Sequence, residues 1–343
     1  MNSIKTYRLQ FIVLAILLVV FFLINISLGS VKIPIKEIVN ILTGNQIEKQ
    51  SWEYIILNYR LPKAFTAILV GSGLSISGLL MQTLFRNPLA GPFVLGISSG
   101  ASLGVAILIM GSSLFAGIFS GFLLNSISIA IAATIGSFLV LLAIFIVASS
   151  IKDSMALLII GLMFGSITTA VVSVLSYFTS KDQLQQYIFW SFGSLGNLSW
   201  NQLALLAILF VIGIIITILV LKPLNALLLG ENYAQSMGIQ LKKSRYLIII
   251  ATSFLAGSIT AFAGPIAFIG LAVPHLTRQL FNTQNHHVLV PATILFGAIL
   301  MLLCDTIAQL PTSEYSLPIN AITSIIGAPV VIWLLVRKRK MIF

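Results

Sequence analysis

Ten stretches of this chain are apolar enough to sit in lipid, and away from their ends they are almost free of charge. They fall at 9–28, 62–83, 93–110, 122–148, 154–178, 201–221, 244–262, 265–283, 290–310 and 319–336. About 20 apolar residues in a helix cross a ~30 Å hydrocarbon core. Ten such runs in 343 residues leave no room for a soluble core of ordinary design. Only 8% of residues are charged, against about a quarter in soluble domains, while 58% are hydrophobic. The expected fold is therefore all-α, a polytopic helical membrane bundle of about ten spans forming one domain over 1–343. The first run follows Lys5 and Arg8 and has the look of a signal peptide. Its length, and the lack of a small-x-small cleavage site before a polar domain, read instead as a first span.

The charges give a direction. An even number of spans returns both termini to one side. That side carries thirteen cations: Lys5, Arg8, Arg86, Lys152, Lys222, Lys242, Lys243, Arg245, Arg278, Arg337, Lys338, Arg339 and Lys340. It holds two acids, Asp153 and Glu231. The other side has six cations (Lys32, Lys36, Lys49, Arg60, Lys63, Lys181) and five acids (Glu37, Glu48, Glu53, Asp182, Glu314), with Asp305 left inside a span. Cation-rich loops stay in the cytoplasm, so both termini are expected there. The net charge of +11 is then a topology signal and an attraction to anionic lipid, and it does not point to nucleic acid.

Small residues recur every fourth position: Gly96, Gly100 and Gly104; Gly161, Gly165, Thr169 and Ser173; Ser253, Gly257 and Ala261. Such stripes let helices approach closely in lipid. The hydroxyls of Ser166, Thr168, Thr169, Ser173 and Ser176 also fit a polar pathway, and packing and pathway can occupy different faces of one helix. Gly/Pro pairs at 87–88, 91–92, 264–265, 273–274 and 328–329 (Asn87, Val273 and Ala328 standing for Gly in three) predict breaks near span ends.

Asp305 is the one acid within a span, with no Lys or Arg expected at its depth, and reads as a hydrogen-bonded structural residue near the outer end of its helix. His275 reads as an interior histidine, and His286 and His287 as part of a short polar turn. No catalytic, cofactor or metal-ligating set is expected. The chain contains no phosphate loop, no H-E-x-x-H and no nucleophile elbow. Its single cysteine, Cys304, excludes an internal disulfide. If ATP drives transport, its chemistry lies on another chain.

Residues 224–239, L-N-A-L-L-L-G-E-N-Y-A-Q-S-M-G-I, are too short and too polar to span. They predict two short helices, Leu224 to Leu229 and Glu231 to Met237, stopped by Gly230 and Gly238. Leu227, Leu228, Tyr233, Ala234 and Met237 would be apolar knobs beside Glu231 and Asn232. A helix lying on lipid usually has a basic polar face. This one carries a single acid, and a docking surface for a cytoplasmic partner fits better.

Several ordered motifs carry a resemblance: R-L-P-K from Arg60, S-G-L-L-M-Q from Ser77, R-N-P-L-A-G-P from Arg86, L-G-I-S-S-G-A from Leu95, L-G-E-N-Y-A-Q-S-M-G from Leu229, A-G-P-I-A-F-I-G-L-A-V-P-H from Ala263, and Gly327-Ala328-Pro329. The chain resembles the FecCD, or vitamin B12-type, permease subunits of ABC importers for iron(III)-siderophores, haem and cobalamin. The resemblance implies a multi-pass subunit of the bacterial cytoplasmic membrane. It implies two separate ATPase subunits, a second permease subunit (identical or related) and an extracytoplasmic binding protein or lipoprotein. Carried across, Leu229, Gly230, Glu231, Tyr233, Ala234, Ser236, Met237 and Gly238 would couple to the ATPase. Arg60 and Lys63 would meet acids of the binding protein, and Gly161, Gly165, Ser166, Thr169 and Ser173 would line the pathway. Lys63 stands where the family often has Arg, Gly91 replaces an acid often found before Pro92, and the outer loop 311–318 has no cation. Iron(III)-siderophore is the leading substrate expectation, with haem and cobalamin as alternatives. An ion-coupled carrier or a membrane enzyme would need more clustered ionisable residues than the spans supply.

Overall fold

The structure is a computed structural model that describes residues 7–45, 47–111, 126–150, 154–309 and 315–336. Lys5, the start of the 122–148 run, Lys152, Asp153, Glu314 and the basic tail Arg337, Lys338, Arg339 and Lys340 lie outside the described residues.

Among the described residues every regular element is helical. Seven helices are long and apolar enough to cross a membrane: Arg8–Ser27, Gln50–Leu84, Ile127–Ile144, Ile159–Phe178, Trp200–Leu219, Leu241–Ala263 and His286–Ala308. Two shorter apolar helices, Ile97–Ile109 and Ile319–Trp333, fall on two further expected runs. The remaining run, 265–283, is not a full-length span. Its helix, Ile269–Phe281, has 13 residues. At 1.5 Å per residue that is about 20 Å, short of a ~30 Å core. It follows a non-helical stretch after Gly264, where the Ala267 N–H donates to Asn320 Oδ1 at 3.0 Å. The helical membrane class thus holds, with seven long helices where about ten spans were expected.

Two expected interruptions are also absent. Pro274 and Pro329 sit inside helices rather than at their ends, as does Pro291, where no break was expected. Proline is tolerated there because neighbouring groups in a membrane protein can satisfy the freed carbonyl. His286 and His287, expected in a turn, instead open the 286–308 helix, which Asn285 caps by accepting from the His287 N–H at 3.0 Å.

The chain divides into two compact units. The first comprises 1–76, 194–208 and 267–342. Within it the Arg8–Ser27 helix packs on His286–Ala308 through Leu14, Val288, Ala292 and Ile299, and Phe281 closes the cluster with its ring 5.0 Å from that of Phe11. Glycines set another contact. A Cβ on Gly71 would strike the Gly297 carbonyl, and one on Gly297 would strike the Gly71 carbonyl. Ser72 Oγ donates across the same seam to the Ile294 carbonyl at 3.0 Å.

The second unit comprises 77–193 and 209–266. Here Ile97–Ile109 lies against Ser126–Ser150 in the same manner, Gly100 facing Gly136 and Gly104 facing Ala132 backbone to backbone. Ala101, Val105, Ala106, Ile109, Ala133 and Ala261 form its core. The 96–100–104 stripe is therefore a packing seam. Small residues win this position because lipid offers no hydrophobic gain for larger ones, so contact energy must come from close approach.

Gly297→Leu should cost about 1–3 kcal/mol by overpacking this seam. Gly165→Ala, where a new Cβ meets only Ser99 Oγ at 3.2 Å, should stay within about 0.5 kcal/mol. Thermal unfolding of the detergent-solubilised protein distinguishes them.

Candidate functional site

Two places outside the apolar seams collect polar chemistry, one in each unit. In the second unit, the predicted pair of short helices is present as Leu221–Leu227 and Glu231–Ser236. Pro223 falls in the first turn of the first helix, where a missing N–H costs nothing. Gly230 separates them at φ +111° and ψ 155°, a conformation open essentially to glycine alone. Gly238 ends the second helix at φ +81°. The Ile239 N–H reaches back to the Ala234 carbonyl at 3.0 Å, the six-to-one bond of a Schellman stop. Both glycine stops were legible in the sequence.

The knobs sort into two sets. Leu227 and Ala234 are buried in the subunit, against the expectation that they would face a partner. Tyr233 and Met237, 51% and 59% exposed and four residues apart, share one outward face of the second helix, and Leu229, 64% exposed, stands before the Gly230 break. Ser236 is exposed beside them, its Oγ donating to the Tyr233 carbonyl at 2.8 Å. Glu231 opens the second helix, where an acid suits the helix dipole. Arg245 donates from Nη2 to Glu231 Oε1 at 2.6 Å and fastens the element to the Leu241–Thr252 helix. The exposed guanidinium of Arg86 lies nearby, Nη1 being 3.9 Å from where a Gly230 Cβ would stand. The result is a short, internally braced element with exposed apolar side chains and cations at its side.

In the first unit, the two expected docking cations have intramolecular partners. The turn Ile56–Arg60 is a π-turn, closed by the Leu61 N–H on the Ile56 carbonyl. Pro62 follows and has no N–H of its own to continue an ordinary ladder at that point. Arg60 is only 9% exposed. Its Nη1 donates to the carbonyls of Ile26 at 2.6 Å and Ser27 at 3.0 Å, and Nη2 donates to that of Val31. Arg60 thus caps the end of the 8–27 helix, whose last carbonyls otherwise lack donors. Lys63 Nζ lies 3.1 Å from Asp305 Oδ1. This corrects the reading of Asp305 as an acid without a basic partner. Asp305 Oδ2 accepts from Asn25 Nδ2 at 2.9 Å and from Gln309 Nε2 at 2.8 Å. The hydrogen-bonded role expected for Asp305 stands. Asn25 and Gln309 were missed, although Asp305 and Gln309 share a helix face at i,i+4 spacing and could have been paired on that ground.

The proposed pathway residues share the Ser154–Phe178 helix. Gly161 is buried, while Ser166, Thr169 and Ser173 are exposed in the single subunit. Their hydroxyls bond back to the carbonyls of Leu162, Gly165 and Thr169 at 3.2, 3.0 and 2.8 Å. That arrangement hides each donor and presents a smooth, weakly polar face. Among the described residues no three His, Cys, Asp or Glu side chains gather as a metal site.

Close glycine seams, interrupted helices and a braced surface element define a multi-pass membrane protein of the permease class. The chain belongs to the FecCD transport family, whose profile matches residues 17–337. It is 36% identical over 342 residues to the hemin transport system permease protein HmuU of Yersinia pestis, covering 99% of both chains. It is 36% identical over 327 residues to the vitamin B12 import system permease protein BtuC of Klebsiella pneumoniae, covering 95% of this chain and 93% of that one. A solved inward-facing structure of the metal-chelate type of ABC transporter superposes with a TM-score of 0.83 at 29% identity, covering 97% of this chain and all of that one.

Gly230→Val should strain the joint by about 1–3 kcal/mol, because a β-branched residue cannot hold its φ. Hydrogen exchange should then rise at 228–236 with the spans unchanged.

Proposed function

We propose that this permease is the transmembrane subunit of a binding-protein-dependent ABC importer in the bacterial cytoplasmic membrane, moving an iron(III)-siderophore inward. The reading rests above all on the braced 221–236 element with its exposed Leu229, Tyr233 and Met237. Such a surface suits a soluble partner: apolar anchors for contact, with neighbouring cations to orient an acidic counterpart. Two cytoplasmic ATPase subunits would press on it. The buried Leu227 and Ala234 would pass that push into the subunit instead of touching the partner. Gly230, Glu231, Ser236 and Gly238 would shape and hold the contact.

Both termini would lie in the cytoplasm, the side on which an even span count and the cation balance put them. A binding protein or lipoprotein would dock on the other side, with Lys63 as its charged contact and Arg60 holding the local backbone. The smooth face of Gly161, Gly165, Ser166, Thr169 and Ser173 would line a pathway shared with a second permease subunit. A pathway that binds its cargo weakly cannot itself drive transport, so the energy has to enter through the partner surface. A haem cargo is the second reading, favoured by the full-length likeness to a hemin permease.

The transporter reconstituted in proteoliposomes with its ATPases and binding protein tests this. Tyr233→Asp combined with Met237→Asp should lower binding-protein-stimulated ATP hydrolysis roughly tenfold or more, as expected for two anchors of one interface. Membrane insertion should be unchanged. Stimulation at the parental rate would sink the assignment. Uptake of iron-loaded siderophore, haem and cobalamin in parallel decides the cargo.

A further inference from the structure

Asp305 is 2% exposed and is the sole acid of the 286–308 helix. A carboxylate in so apolar a setting keeps its charge only when its lone pairs are filled. Lys63 Nζ fills one oxygen at 3.1 Å, and the amides of Asn25 and Gln309 fill the other at 2.9 and 2.8 Å. Asn25 Nδ2 also reaches Thr306 Oγ1 at 3.1 Å, which holds that amide in place. Two of the three donors on Asp305 are therefore neutral amides, Asn25 on the 8–27 helix and Gln309 at the end of Asp305's own helix, and the carboxylate does not depend on the ammonium alone.

Lys63 is less confined. Its side chain is 23% exposed, and its stem runs beside Gly196, which has no side chain to block it (a Cβ there would lie 3.7 Å from Lys63 Cδ). Arg60 shows the contrast, with its fork committed to three backbone carbonyls. Lysine is a point charge on a flexible stem and can turn from one carboxylate to another without breaking a bidentate geometry. While it sits on Asp305, its charge is neutralised and offers little to an approaching acid.

We infer that Asp305 is an internal competitor for Lys63, so that docking of the binding protein transfers the Lys63 ammonium from Asp305 to a carboxylate of the partner. The inference rests on the docking role proposed for Lys63. Asp305 then acts as a positioning and affinity-setting residue, and the Asn25 and Gln309 amides stabilise it once the ammonium has left. Docking is thereby made weaker than the bare cation would allow, which favours release after each cycle.

The test uses the complete reconstituted transporter and its purified, ligand-loaded binding protein, with affinity measured at low salt. Asp305→Asn should tighten docking about fivefold to tenfold by freeing the cation, and the gain should vanish in the Lys63→Gln background. Gln309→Leu should weaken docking several-fold, because Asp305 would then lean harder on Lys63. A residue that only holds the fold would not give effects of opposite sign from these two changes. If Asp305→Asn fails to assemble, Gln309→Leu decides the matter, and parental affinity in that variant overturns the competition. The swap Lys63→Asp with Asp305→Lys keeps the pair and should lose docking. Should Lys63→Gln weaken docking while Asp305→Asn and Gln309→Leu leave it unchanged, the competition is wrong and the docking role stands. If Lys63→Gln and the swap both dock like the parent, the docking role itself fails, and this inference with it.

Discussion

Backbone hydrogen bonding without water governs what this chain can do in lipid, because an unpaired amide or carbonyl there costs several kcal/mol. Every interruption must bring its own partners. The turn at 56–60 changes its ladder to a wider one and does not open it. The freed carbonyls at the end of the 8–27 helix receive the Arg60 guanidinium. The non-helical stretch after Gly264 gives its Ala267 N–H to Asn320. Arg60 is thus first a structural cap. A cation drawn from the sequence as an exposed contact is consumed by the geometry of the helix end it follows.

The same constraint explains what was legible in the sequence and what was not. Local rules carried far: apolar length marked the spans, spacing marked the Gly100–Gly136 seam on one of its sides, and glycine marked both stops of the 221–236 element. Where two distant segments had to meet, the sequence was silent. Lys63 and Asp305 lie 242 positions apart by their numbering, and nothing in either neighbourhood names the other. The inward turn of Leu227 and Ala234 is of the same kind, since helices of seven and six residues have too few turns to reveal their buried faces. The 265–283 run holds a helix shorter than its apolar length for another reason. Its apolar content was read as length, yet the break after Gly264 spends residues outside the helix.

The two kinds of contact in the bundle are unlike in energy and in consequence. Glycine seams are held by many small dispersion contacts that vanish together when backbones part. They fix one arrangement closely and tolerate little intermediate motion. The polar cluster at Asp305 is a handful of strong, directional bonds that can be exchanged one for another. The Asp305 cluster lies between the same two helices as the Gly71–Gly297 seam, so its polar partners can be exchanged while the packing beside them is kept.

Coupling then becomes a question of where free energy can enter. The hydroxyls of Ser166, Thr169 and Ser173 on the 154–178 helix are turned onto their own carbonyls. A face of that kind binds nothing tightly, so it cannot by itself bias one state of the bundle over another. The 221–236 element is where the proposed partner would supply that bias. Its Glu231–Arg245 bridge is partly exposed and by itself weak, yet it adds to the buried Leu224, Leu227 and Ala234. Together these brace the element against the helix that follows it, so that a push on Tyr233 or Met237 would reach the 241–252 helix rather than a loose loop. A docking surface hung on a flexible linker would bind the same partner and transmit nothing.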